Sequence, residues 1–144
     1  MTDRTLFAAC LLFAAPLFAE PEYSVWDGVF TAQQANAGAK LFVEHCVACH
    51  SSKPGEMSGH GPAPAVIGAD FAFRWQDASV AELYESIRQT MPEGAPNSLS
   101  VAQYGALTAY VLQLNGYPAG DKNLDASQDY QRLDSTWIES KAPH

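Results

Sequence analysis

Cys46-Val47-Ala48-Cys49-His50 is a pair of cysteines two residues apart, with a histidine directly after the second. That order is the c-type haem attachment pattern. Each part has a chemical task. The two thiols add across the two vinyl groups of the porphyrin and tether it through thioethers. The spacing lets both sulfurs reach one macrocycle edge from a single helical turn. His50 is then held under the iron and offers an imidazole nitrogen as axial ligand. Two plainer readings compete. A thioredoxin-type redox dithiol wants a flanking βαβ pattern, and none is visible. A zinc site needs two more ligands at suitable spacing; His45 and His60 are near, but there is no second cysteine pair. Haem attachment is the reading adopted.

Upstream, Ala35, Gly38, Phe42, Cys46 and Cys49 recur every three to four residues. They predict an amphipathic helix that starts at Thr31 and carries the cysteines at its end, on the buried side. Thr31 and Gln34 form a capping-box pair. Gly38 costs such a helix about 1 kcal/mol against alanine, so its presence points to a close approach by another backbone or ring. Residues 20–30 are expected as an extended N-terminal extension laid over the domain, with Trp26 and Phe30 packing rather than binding.

Residues 1–19 read as a secretory signal peptide. The apolar run 6–18, broken only by Pro16, is too short to span a bilayer comfortably and ends at the small residue Ala19. Asp3 offsets Arg4 and Leu17 is large for its place, so a retained anchor competes. Cleavage after Ala19 is favoured, with no stable membrane insertion afterwards. Cys10 lies inside this leader, which leaves Cys46 and Cys49 in the mature chain.

Downstream, residues 51–68 carry Pro54, Gly55, Gly59, Gly61, Pro62 and Pro64 and cannot sustain a helix. They are expected to wrap the proximal edge of the haem. Residues 70–77 are expected to be irregular, with Phe71, Phe73 and Trp75 as pocket walls. A second helix begins at Ser79, boxed with Glu82, and presents Val80, Leu83, Tyr84 and Ile87 on one face. It gives way at Met91, because a residue before proline disfavours the α region. A third helix begins at Ser100, boxed with Gln103. It buries Tyr104, Leu107, Tyr110, Val111 and Leu114 and stops at Asn115-Gly116. Residues 117–144 form an acidic tail with Leu124, Tyr130, Leu133, Trp137 and Ile138 spaced along it, packing back on the domain, with a short helix around 127–134. No strand pattern of convincing length appears. The fold class is all-α: three main helices and loops wrapped round one covalently bound haem.

Met91 is the leading sixth iron ligand. It follows a helix, opens a Pro/Gly loop and lies far from His50 in sequence, and His/Met ligation raises the haem potential for electron transfer. The plain alternative is a core methionine. Met57 stands only seven residues after His50, His60 sits in a Gly/Pro loop, His45 should project away from the iron, and His144 is terminal. Arg74 by its charge and Trp75 by its indole N–H are candidate propionate partners, with pocket wall and surface charge as the plain alternative.

The chain of 144 residues is enough for one domain, and 47% apolar content is that of a globular protein. Its formal charge of −8, from 16 acidic and 8 basic residues, argues against nucleic acid and anionic lipid. It favours a partner with a basic or neutral docking patch.

Residues 31–116 resemble a class I cytochrome c. The matching pieces are Gly38-xxx-Phe42, Cys46–His50, Gly61-Pro62, Met91-Pro92 and Leu107-xx-Tyr110. The resemblance implies that the first and last helices cross near right angles, with Gly38 against the aromatic Tyr110. It also implies that the carbonyl of Pro62 accepts the His50 ring N–H. The segment Thr90-Met91-Pro92-Glu93-Gly94-Ala95-Pro96, with the acidic tail, is similar to cytochromes that accompany periplasmic quinoprotein (PQQ) dehydrogenases. Together these imply a periplasmic monohaem carrier of single electrons from a dehydrogenase to an oxidase or another cytochrome, with haem c as cofactor and no substrate chemistry of its own. The alternative is a haem enzyme or gas sensor with an open or weakly ligated distal site. A third reading is a docking subunit whose tail binds a dehydrogenase.

Overall fold

The computed structural model describes residues 23–50 and 63–140. The expectations for the leader 1–19 and for Met57, His60, Pro62 and His144 lie outside the described residues. Within them the order is β1 (Tyr23–Ser24), a 3-10 turn (Val25–Asp27), α1 (Ala32–His45), α2 (Ala69–Trp75), α3 (Val80–Thr90), α4 (Val101–Leu114), α5 (Tyr130–Asp134) and β2 (Thr136–Trp137). The expected first, second and third helices are α1, α3 and α4.

The helix starts follow from their caps. Ser79 accepts from the Glu82 backbone N–H while the Glu82 carboxylate accepts from the Ser79 N–H, and Ser100 with Gln103 does the same. Thr31 makes only half of its expected box. Its hydroxyl accepts from Gln34 N at 3.1 Å, but the Gln34 amide is engaged elsewhere. It donates to the Leu124 carbonyl and accepts from the Leu124 N–H, both at 2.8 Å, so the first turn of α1 grips the C-terminal segment.

α4 is the central element. Tyr104 through Ala109, Val111 and Leu112 are all buried, so it is covered on nearly every side rather than along one stripe. α1 crosses it at Gly38, where an added Cβ would collide with the Ala106 carbonyl and come within 2.9 Å of Tyr110 Cβ. The glycine is what lets the two backbones touch, and Phe42 packs on Tyr110 with ring centroids 5.4 Å apart. On another side of α4, a Cβ at Gly105 would fall 2.7 Å from the Leu124 carbonyl oxygen.

The first and last described segments meet beside the start of α3. β1 and β2 pair in parallel, Tyr23 with Thr136 and Ser24 with Trp137. Ile138 donates to Ala78 O and Asp77 donates to Ile138 O, both at 2.9 Å. Trp26 Nε1 and Tyr117 Oη both donate to the Glu139 carbonyl, at 3.2 and 3.1 Å. Leu124, Leu133 and Ile138 are as buried as Tyr84 and Leu112, so residues 117–140 complete the same core. The N-terminal extension is likewise built in. After two extended residues it turns, and Val25, Val29 and Phe30 are buried while Trp26 meets Tyr117 edge to face at 4.9 Å.

One segment departs from expectation. Residues 70–77 are not irregular, since 69–75 form α2. The helix also corrects Phe73, expected as a pocket wall. Phe71 and Trp75 are four apart and share a face, whereas Phe73 lies between them on the opposite side and is 95% exposed.

Candidate functional site

α1 ends at His45 and the attachment motif follows as a tight turn. Cys46 N and Val47 N both donate to Phe42 O at 2.9 Å, and Cys49 N and His50 N donate to Cys46 O at 3.0 and 2.9 Å. The turn presents two half-buried free thiols and a buried imidazole. Burial pushes the Cys46 thiol up to about 11, with the neighbouring Cys49 adding to the shift. A redox dithiol needs the opposite, a thiol whose pKa is lowered. Among the described residues no group of three or more His, Cys, Asp and Glu could hold a metal ion, which leaves the zinc reading without ligands there.

His50 Nδ1 lies 2.8 Å from the Pro64 carbonyl oxygen. A carbonyl only accepts, so Nδ1 carries the proton and Nε2 keeps its lone pair. That is the tautomer a metal-binding imidazole requires, fixed by a bond to the ring's other nitrogen. The acceptor is Pro64, not Pro62 as the resemblance implied. Pro-Ala-Pro offers two proline carbonyls two positions apart, and only loop closure selects between them. Pro62 itself lies outside the described residues.

Next to His50 opens a cavity of about 150 Å³. Phe42, Phe71, Leu83, Ile87, Leu107 and Val111 give it apolar walls from four helices, and Cys46, His50 and Met91 border it. A second opening shares Cys46, His50, Pro64 and Met91 and adds Cys49 at its edge. The two thiols, the imidazole and the thioether therefore meet on one largely apolar cleft. A flat, mostly apolar macrocycle with one metal fits that set: thiols at a rim, one nitrogen ligand and one sulfur ligand.

Met91 is the C-cap of α3. Its N–H donates to Ile87 O at 2.9 Å and its carbonyl accepts from the Tyr104 hydroxyl at 2.9 Å. Trp75 is half-buried and Arg74 exposed, and both line the cavity. Sequence reasoning placed Tyr104 in the core of the third helix without its hydroxyl bond, and it missed Pro64. Neither bond has a periodic signal, since each joins elements distant in sequence.

Residues 33–111 match the family described as Cytochrome C oxidase, cbb3-type, subunit III. No curated protein and no solved structure matches the chain.

Proposed function

The chain belongs to the cytochrome c family, by its match to the cbb3-type subunit III domain, and from that premise we propose that it is a periplasmic monohaem carrier with His50 and Met91 as axial ligands. The family is one of electron-transfer haem proteins with covalently attached haem c. Such domains are exported and face the periplasm in bacteria, and among the described residues no helix is long and apolar enough to cross a membrane. A signal peptide over 1–19, a domain over 31–116 and a tail over 117–144 complete the proposal.

Haem c, when bound, supplies a one-electron ferric/ferrous couple. The protein supplies everything around it. Cys46 and Cys49 are its tethers. His50, with Nδ1–H spent on Pro64, offers Nε2 to the metal. Met91 would offer the iron a neutral, soft sulfur, which would raise the potential. The apolar walls exclude water, and Arg74 and Trp75 stand where propionates can be paired. The partners we propose are a periplasmic dehydrogenase, in particular a quinoprotein, as donor and an oxidase or another cytochrome as acceptor. The observation that carries the reading is that His50 and Met91 line one cleft.

The carrier is favoured over the enzyme or sensor because the family is generally one of electron transfer. Leu124, Leu133 and Ile138 of the tail belong to the chain's own core, while its aromatics Tyr130 and Trp137 stay exposed and are the surface that the tail-docking reading would use. A potentiometric titration tests the carrier. It should follow a single one-electron curve, about 59 mV per tenfold change in ratio, and the reduced protein should consume neither oxygen nor peroxide at an appreciable rate. Rapid turnover of peroxide would give the site to an enzyme.

A further inference from the structure

Tyr104 stands in the first turn of α4, with no exposed surface. Its hydroxyl does two things. It donates to Met91 O at 2.9 Å and accepts from Leu99 N at 3.4 Å. Those two backbone groups are the two ends of one loop: Met91 closes α3, and Leu99 stands just before Ser100, the N-cap of α4. A single buried oxygen thus spans the neck of the loop that bears the thioether. Donor and acceptor are both used, so the phenol is satisfied where water does not reach it. A phenylalanine would fill the same space and leave both loop ends unmet.

Among the described residues, the other fastenings of this loop run back to α3 or stay within it. Asn97 N donates to Arg88 O at 2.9 Å, Arg88 Nη1 donates to Asn97 Oδ1 at 2.8 Å, and Ala95 N donates to Pro92 O at 2.9 Å. Tyr104 alone among these links ties it to α4, the helix that supplies Leu107 and Val111 to the cleft wall. A residue at a helix C-cap sits where helices fray. Met91 escapes this because its N–H is held by Ile87 and its carbonyl by Tyr104, which leaves only side-chain torsions free.

We propose that Tyr104 is a positioning residue whose hydroxyl clasps loop 91–99 shut and so holds the Met91 thioether in the haem cleft. The proposal rests on Met91 being the sixth ligand. A thioether is neutral and binds iron without help from charge, so its occupancy depends on how firmly the backbone beneath it is fixed. Opening the clasp frees the backbone on both sides of the loop and exposes the sixth position.

Tyr104→Phe in the haem-loaded protein removes one oxygen and no packing volume. Two readings are taken: the rate of carbon monoxide binding to the reduced protein, and the temperature at which the sulfur-to-iron charge-transfer band of the oxidised protein disappears. The expected rate increase is about tenfold, the order of effect when a buried hydrogen-bonding group loses its partner. The band should vanish well before helical circular dichroism melts. Leu133→Ala, which destabilises the core at α5 without removing a hydrogen bond of the loop, should melt earlier overall but leave the carbon monoxide rate alone. In the wild-type holoprotein, residue-resolved hydrogen exchange should find the Leu99 amide protected, a reading that needs no variant to fold. Three results overturn the clasp: an unchanged rate in Tyr104→Phe, an equal increase in Leu133→Ala, or an unprotected Leu99 amide. A wild type that lacks the band removes the Met91 reading itself, and the proposal with it.

Discussion

His50 needs its proton on Nδ1 to leave Nε2 for a metal, and the Pro64 carbonyl 2.8 Å away enforces this. We propose that the cysteines beside it carry the covalent attachment. Cys46 is held as a neutral thiol by burial, which suits a group that adds to a vinyl as a thiol and not one that cycles through a disulfide. Cys46→Ala is expected to leave a single thioether at Cys49. Intact mass should then show a mixture of haem-bearing and haem-free chains in reduced yield, whereas the wild type should keep its haem through acid–acetone extraction. Haem lost from the wild type under that extraction would contradict covalent attachment. At this scale the motif was legible because covalent chemistry fixes its spacing to the residue. Pro64 was not, because nothing local tells Pro62 from Pro64, and the choice is made by where a loop of many residues lands. Tyr104 was legible as core and illegible as a hydrogen-bond donor for the same reason.

The contact between α1 and α4 turns on one missing side chain. At Gly38 the neighbour is the Ala106 carbonyl, a backbone group that cannot swing aside. Gly38→Leu is therefore expected at the top of the overpacking range, about 3 kcal/mol, and to lower the thermal midpoint by on the order of 10 °C. An unchanged midpoint in differential scanning calorimetry would mean that the helices do not meet there. The caps of α3 and α4 were readable in full, because a capping box is a bargain between residues three apart. The α1 box was readable only by half. Gln34 is drawn away by Leu124, 90 residues on, and no short-range rule foresees that. α2 was missed because a helix of seven residues, Ala69–Trp75, is too short for a convincing period. Once the helix is there, its period explains why Phe71 and Trp75 face the cleft and Phe73 faces water.

The described residues form one core, closed where segment 23–30 meets segment 136–139. The resemblance covered 31–116, yet the buried set runs from Val25 to Ile138. The spaced apolar residues of the acidic tail marked which positions would be buried, but not that they would lock onto the N-terminal turn through Glu139. This enclosure places His50, from the end of α1, and Met91, from the end of α3, on one cleft under a central α4. We propose that the Met91 thioether fills the sixth position and makes the protein a carrier. The most direct measurement is the far-red sulfur-to-iron charge-transfer band of the oxidised protein in the wild type, Met91→Ala and Met57→Ala. The wild type and Met57→Ala should show the band and bind carbon monoxide slowly when reduced. Met91→Ala should lose the band, fall in potential and bind carbon monoxide readily. A band that survives Met91→Ala and disappears in Met57→Ala would contradict the account.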